Sequence, residues 1–151
     1  MQLLTGDDAR SHVNDLIHFD TQRADRGIDL TVDAVFQLTG AGQLDFGGSE
    51  FKPAPRTKLE PQRAHPDDDY GWWTLDPGTY VVRYNETPAL NDDLVGQVVP
   101  LPRLMQTGLH HGTFVVDAPS EALETTLFVG PAGGRLKENC RISRLLVIDP
   151  S

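Results

Sequence analysis

Cysteine is almost missing from this 151-residue sequence. Cys140 stands alone, so no internal disulfide can form and the fold requires no oxidising compartment; the thiol reads as a buried or half-buried structural group. Long apolar runs are missing too. Nothing approaches the roughly 18 consecutive apolar residues of a membrane-spanning helix, and Met1 to Gly6 lack a basic segment followed by an apolar one. A cytoplasmic protein without a membrane partner is expected. Positive charge is scarce: 13 basic residues face 22 acidic ones, for a formal net charge of −9. That balance argues against a nucleic acid polymer or an anionic membrane as partner, because both demand a broad cationic footprint. Lysine is the scarcest cation, with Lys52, Lys58 and Lys137 set against ten arginines. Such a composition suits a chain kept soluble in concentrated salt, and equally a GC-rich coding sequence. A small anionic ligand stays compatible with it wherever arginines converge.

What is present points to β structure. A domain of this length buries about 70% of its unfolded surface, so one core suffices, and no linker, repeat or low-complexity tract divides residues 1–151. Thr5 with Asp8 reads as a helix N-cap and an acid in the first turn. Ala9, Val13, Leu16 and Ile17 follow at helical spacing and predict a short amphipathic helix. From Ile28 the period changes to two: Ile28, Leu30, Val32, Ala34, Phe36 and Leu38 alternate with Asp29, Thr31, Asp33 and Gln37, the clearest strand in the chain. Glycines, prolines and the acidic run Asp67 to Asp69 make the stretch from Gly40 to Tyr70 a set of loops around short strands. After the turn Asp76-Pro77-Gly78 come strand candidates at Thr79–Tyr84, Leu94–Val99, Thr113–Val116, Thr125–Val129 and Arg141–Ile148. Short strands broken by turn residues, with no second convincing helix, imply a closed or two-sheet β architecture.

Several features have plain structural readings. His110 and His111 alternate faces on any strand, so they cannot offer two ligands to one metal from regular β geometry, and a loop role is expected. His65 with Asp67, Asp68 and Asp69 lacks the glycine and distal glutamate of an EF-hand loop and reads as a solvated acidic loop. Trp72-Trp73 is expected to place one ring in the core and one outside.

The order and spacing of several segments resemble the dUTPase and dCTP deaminase superfamily from Gln22 to Ile148. The first ends Gly27-Ile28-Asp29-Leu30, similar to the motif that opens the first long strand, with Asp29 at the acidic position. Next, Leu75-Asp76-Pro77-Gly78 through Glu86 looks like the Pro-Gly hairpin preceding the phosphate loop. Pro100 to Leu109 lies where the superfamily reads P-R-S-S-L-x-R-x-G-L. Here Leu101 replaces the first arginine, Pro102 and Arg103 replace the paired serines, and Gln106 replaces the second arginine. Proline removes a backbone N–H, while Arg103 offers a planar, bidentate phosphate donor instead. A solvated surface arginine is the alternative reading of Arg103.

The segment Phe114 to Ala122 resembles the hairpin that carries the diphosphatase's general base, with Asp117 retained. Ser120 takes the place of the aromatic residue that packs on deoxyribose, and Pro119 and Ala122 replace turn glycines. Leu136 to Val147 looks like the closing strand. Asn139 or Cys140 replaces its turn glycine, and Arg144 a glutamine that reaches phosphates. Arg141 and Arg144 are three apart, so on a regular strand only one points into a given site. No glycine-rich tail follows that strand in this sequence, a trait shared with deaminase-like members.

The resemblance implies an all-β, dUTPase-like distorted β-barrel or jelly roll (β-clip) with a short N-terminal helix, assembled as a homotrimer around a deoxynucleoside triphosphate. It implies Asp117 as base, nucleotide contacts from Asp29, Arg103, Gln106, Ser120, Arg141 and Arg144, and Mg²⁺ carried by the nucleotide, with Asp29 its one candidate protein ligand. Three readings stay open at this point. The first is a divergent dUTP diphosphatase, the second a non-catalytic nucleotide-binding or regulatory paralogue. The third is a dCTP deaminase, whose water-activating glutamate would fall at Leu127, with Glu124 three residues earlier on the opposite face.

Overall fold

Strand runs from one end of the chain to the other in the computed structural model, which describes residues 1–116 and 122–151. In chain order the elements are β1 (Gln2–Leu3), α1 (Gly6–Ala9), a 3₁₀ turn (Arg10–His12), β2 (Val13–Asn14), α2 (Phe19–Gln22), β3 (Ile28–Leu38) and β4 (Arg56–Leu59). There follow β5 (Trp72–Leu75), β6 (Gly78–Tyr84), β7 (Thr87–Pro88), β8 (Val95–Pro100), α3 (Pro102–Met105) and β9 (Leu109–His110). The last four are β10 (Phe114–Val116), β11 (Glu124–Val129), β12 (Gly134–Lys137) and β13 (Arg141–Asp149).

The N-terminal helix is shorter than its spacing predicts. Thr5 caps it as expected, its hydroxyl accepting from the Asp8 N–H at 3.1 Å. The helix then lasts one turn, because Gly6, Asp7 and Asp8 are weak helix formers and a single turn does not offset the cost of nucleation. Val13 and Asn14 pair with Pro88 and Thr87 instead, and Asp15 takes a positive φ that ends any helical continuation. Two more one-turn helices, α2 and α3, lie in segments where no helix was expected.

The principal sheet has the order β10-β8-β13-β3-β6-β11-β9, with β1 added on β13 and β4 on β3, and all its pairings are antiparallel. Strand β3 joins its two halves. Ile28 to Thr31 pair with β13, whereas Val32 to Gln37 pair with β6 and Val35 to Leu38 with β4. A register shift between Val32 and Ala34 lets the strand turn from one half to the other. The sheet therefore curls around Leu30, Val32, Val35, Val82, Val98, Leu109, Leu127 and Leu145, a jelly-roll-like all-β core. The curl also buries both faces of the start of β3, so the alternation there does not mean exposure. Asp29 is only 3% exposed and Thr31 is buried.

Pro77 and Gly78 do not close a hairpin between their flanking strands. Strand β5 pairs with β12 in a small separate ribbon, and the turn passes the chain from that ribbon into the main sheet at β6. Trp73 on β5 is buried and donates its indole N–H to the Leu59 carbonyl at 3.0 Å, while Trp72 faces outward between Arg135 and Lys137.

Candidate functional site

Asp29 is the centre of the site. Its carboxylate accepts from Arg144 Nε at 2.9 Å through one oxygen and from Arg141 Nη1 at 3.0 Å through the other. The Asp29 side chain is buried, and both guanidinium groups remain about one-third exposed. Strict alternation would have separated the two arginines. A bulge in β13 between Arg141 and Ser143 sets Arg141 opposite Thr31 and Arg144 opposite Asp29, which brings both to the same face. Arg141 also donates to the Thr21 carbonyl at 3.2 Å, tying the cluster to α2.

A buried polar network supports Asp29 from below. Glu86 is fully buried; it accepts from the Thr31 N–H at 2.7 Å, from the Thr31 hydroxyl and from Gln22 Nε2 at 2.8 Å. Gln22 donates in turn to the Asp29 carbonyl and accepts from the Ile17 and His18 N–H groups, each at 2.9 Å. Burial raises the Glu86 carboxyl above the usual carboxylate range, with the Thr31 and Gln22 hydrogen bonds opposing it in part. Asn139 holds the left-handed turn position at φ 65°, which settles which residue stands for the turn glycine, and its side-chain carbonyl accepts from Asn85 at 2.9 Å. In the sequence Glu86 reads only as the end of a strand motif, and nothing local to it signals its burial.

Arg103 lies in the one-turn helix α3, and Gln106 is its C-cap. Pro102 sits at its first position, where a missing N–H costs nothing. The N–H groups of Leu104, Gln106, Thr107 and Gly108 are all engaged by carbonyls of this same segment. Arg103 supplies the segment's positive charge. Arg103 lines two adjoining cavities of about 250 and 210 Å³, and Cys140 and Arg141 line both as well. Burial pushes the Cys140 thiol up to about 11, so it is neutral there at ordinary pH. Gln106 is exposed and lines neither cavity. Asp117 and Ser120 lie outside the described residues.

The two histidines part company: His110 ends β9 and stacks on Phe128 at 5.1 Å between ring centroids, whereas His111 lies in the loop that follows, as expected, and is buried there. Its Nδ1 bonds the Gly112 carbonyl at 2.8 Å and its Nε2 the Ser143 hydroxyl at 2.7 Å, which meets the Tyr84 hydroxyl at 2.6 Å. Among the described residues no group of three or more His, Cys, Asp or Glu side chains could hold a metal ion. Asp29 does not fit a direct Mg²⁺ ligand either, since an arginine occupies each of its oxygens. On β11, Leu127 is fully buried, and Glu124 on the other face binds Arg56 at 2.9 and 2.8 Å.

The arrangement is an all-β, jelly-roll-like fold with a buried carboxylate clamped between two arginines. A solved 2'-deoxycytidine 5'-triphosphate deaminase from Agrobacterium tumefaciens has the same fold, with a TM-score of 0.68 over 96% of this chain at 12% identity. This chain spans 47% of that one. No family model matches. A probable deoxyuridine 5'-triphosphate nucleotidohydrolase of Methanosarcina mazei is 33% identical over 129 residues, covering 84% of this chain and 72% of the relative. Proteins given the same name in Halobacterium salinarum and Archaeoglobus fulgidus are 35% and 28% identical, over 66% and 98% of this chain and 58% and 88% of theirs. The chain belongs to the deoxyuridine 5'-triphosphate nucleotidohydrolase (dUTPase) family.

Proposed function

We propose that this chain hydrolyses dUTP to dUMP and pyrophosphate. Water deprotonated by Asp117 attacks the α-phosphorus, the bond from that phosphorus to the oxygen bridging to the β-phosphate breaks, and pyrophosphate leaves. Arg103, Arg141 and Arg144 offset the phosphate charge, Gln106 is a further nucleotide contact, and Ser120 takes the sugar side. Magnesium would be carried by the nucleotide and would help to offset its phosphate charge, a mode that requires no carboxylate cage. The working unit is a homotrimer with sites shared between neighbouring chains.

The observation that carries this reading is the convergence of Arg141 and Arg144 on buried Asp29 with Arg141 and Arg103 lining the same cavities. The deaminase alternative loses support from the same coordinates, because its glutamate position holds buried Leu127 and Glu124 is engaged on the opposite face. The N–H groups of Leu104, Gln106, Thr107 and Gly108, already taken by carbonyls, favour one competing reading, a paralogue that binds nucleotide without turnover.

The test is pyrophosphate release from dUTP, dCTP, dTTP and UTP with Mg²⁺, comparing the natural protein with Asp117→Asn and following base deamination in parallel. Release from dUTP that falls by about 10² to 10⁴ in the variant is expected for loss of a positioned base. No turnover in folded trimer would leave the non-catalytic paralogue.

A further inference from the structure

We propose that the cavity between β5, β12 and α3 is a polyphosphate compartment in which Arg135 and Lys137, neither of them a nucleotide contact implied by the family resemblance, hold the phosphate chain together with Arg103 and Arg141. The identity of the ligand as a nucleoside triphosphate rests on the dUTPase reading; the anionic class does not. Four cationic side chains line this one space of about 250 Å³, and among the described residues no Asp or Glu lines it. That is unusual for a protein of net charge −9. Arg103, Arg135 and Lys137 make no ion pair among the described residues, so the compartment's charge is not neutralised from within.

The ribbon geometry explains how the cations are held. Arg135 and Lys137 are two apart on β12 and share a face, while Leu136 between them is buried in the core. Lys137 pairs directly with Trp72 across the ribbon. The Arg135 guanidinium lies 4.4 Å from the Trp72 ring centroid and the Lys137 ammonium 5.5 Å, so the indole fixes both stems on the cavity wall. The neutral Cys140 thiol adds no opposing charge. Guanidinium and ammonium groups on the cavity wall supply charge-assisted donors to an anion.

The experiment is calorimetric titration of inorganic tripolyphosphate into the natural protein, the double variant Arg135→Gln/Lys137→Gln, and a charge-matched control, Lys52→Gln/Arg63→Gln, whose residues lie in the exposed Gly40–Tyr70 connection. Pyrophosphate release from dUTP is followed on all three. The expected result is an affinity about tenfold weaker and a shallower salt dependence in the first double variant, with the control unchanged. Its KM for dUTP rises while kcat holds. The proposal is overturned if the natural protein does not bind tripolyphosphate, if the folded double variant binds it equally well, or if the control weakens by the same factor. Lost tripolyphosphate binding in a protein that never turns over dUTP would uphold the compartment and sink the diphosphatase reading. Hydrolysis with an unchanged KM in the variant would do the reverse.

Discussion

Asp29 shows what a single residue is asked to do here. Its two oxygens separate two arginines that would otherwise repel one another at the end of β13. In Asp29→Asn the amide nitrogen would face a guanidinium donor, and the variant is expected to lose about 1–3 kcal/mol in denaturant unfolding, moderated by the exposure of the arginines. His111 gives a pH signature. Burial holds its pKa below the ordinary 6.5. As pH falls past that value the unfolded chain binds a proton that the folded protein resists, so the unfolded state gains protons and stability declines. The melting temperature should drop between about pH 7.5 and 5.5, and His111→Gln should remove that part of the slope. A slope equal in both proteins would assign the effect elsewhere.

At the level of elements, the site depends on two departures from regular geometry. The bulge in β13 aligns the arginines, and the tight turn before β3 sets Gly27 at φ 88°, where an added Cβ would lie 2.3 Å from the Leu145 carbonyl oxygen. Gly27→Ala should therefore cost more than about 2 kcal/mol, since neither backbone can retreat without breaking the β3/β13 pairing. The link from α2 through Gln22 to Glu86 is the second test. Glu86→Gln keeps the shape but places an NH₂ against the donors of Thr31 and Gln22, so about 1–3 kcal/mol of stability should be lost. Exchange protection of the Ile17 and His18 amides should fall with it, because their acceptor is the same Gln22.

For the whole molecule, charge and assembly dominate. A net charge of −9 repels itself, so added salt should raise the melting temperature by screening, while tripolyphosphate binding weakens under the same conditions. If the sites are shared between chains, light scattering should find a trimer, and dilution to monomer should abolish nucleotide binding. A monomer that binds dUTP tightly would overturn the shared-site arrangement.

The sequence by itself determined the all-β class, β3 and the other main strands, and the Thr5 cap, because strand periodicity and capping depend on residues close together in the chain. It also carried the family, through the order of segments from Gly27-Ile28-Asp29-Leu30 to the closing strand. Only the tertiary structure decided that Asp29 is buried, that Arg141 and Arg144 share it, that Glu86 and His111 lie inside, and that Trp72, Arg135 and Lys137 wall a cavity with Arg103. Each of these depends on the curl of a sheet, a one-residue bulge or the pairing of distant strands. Such features join residues 32 to 115 positions apart, where local periodicity carries no signal.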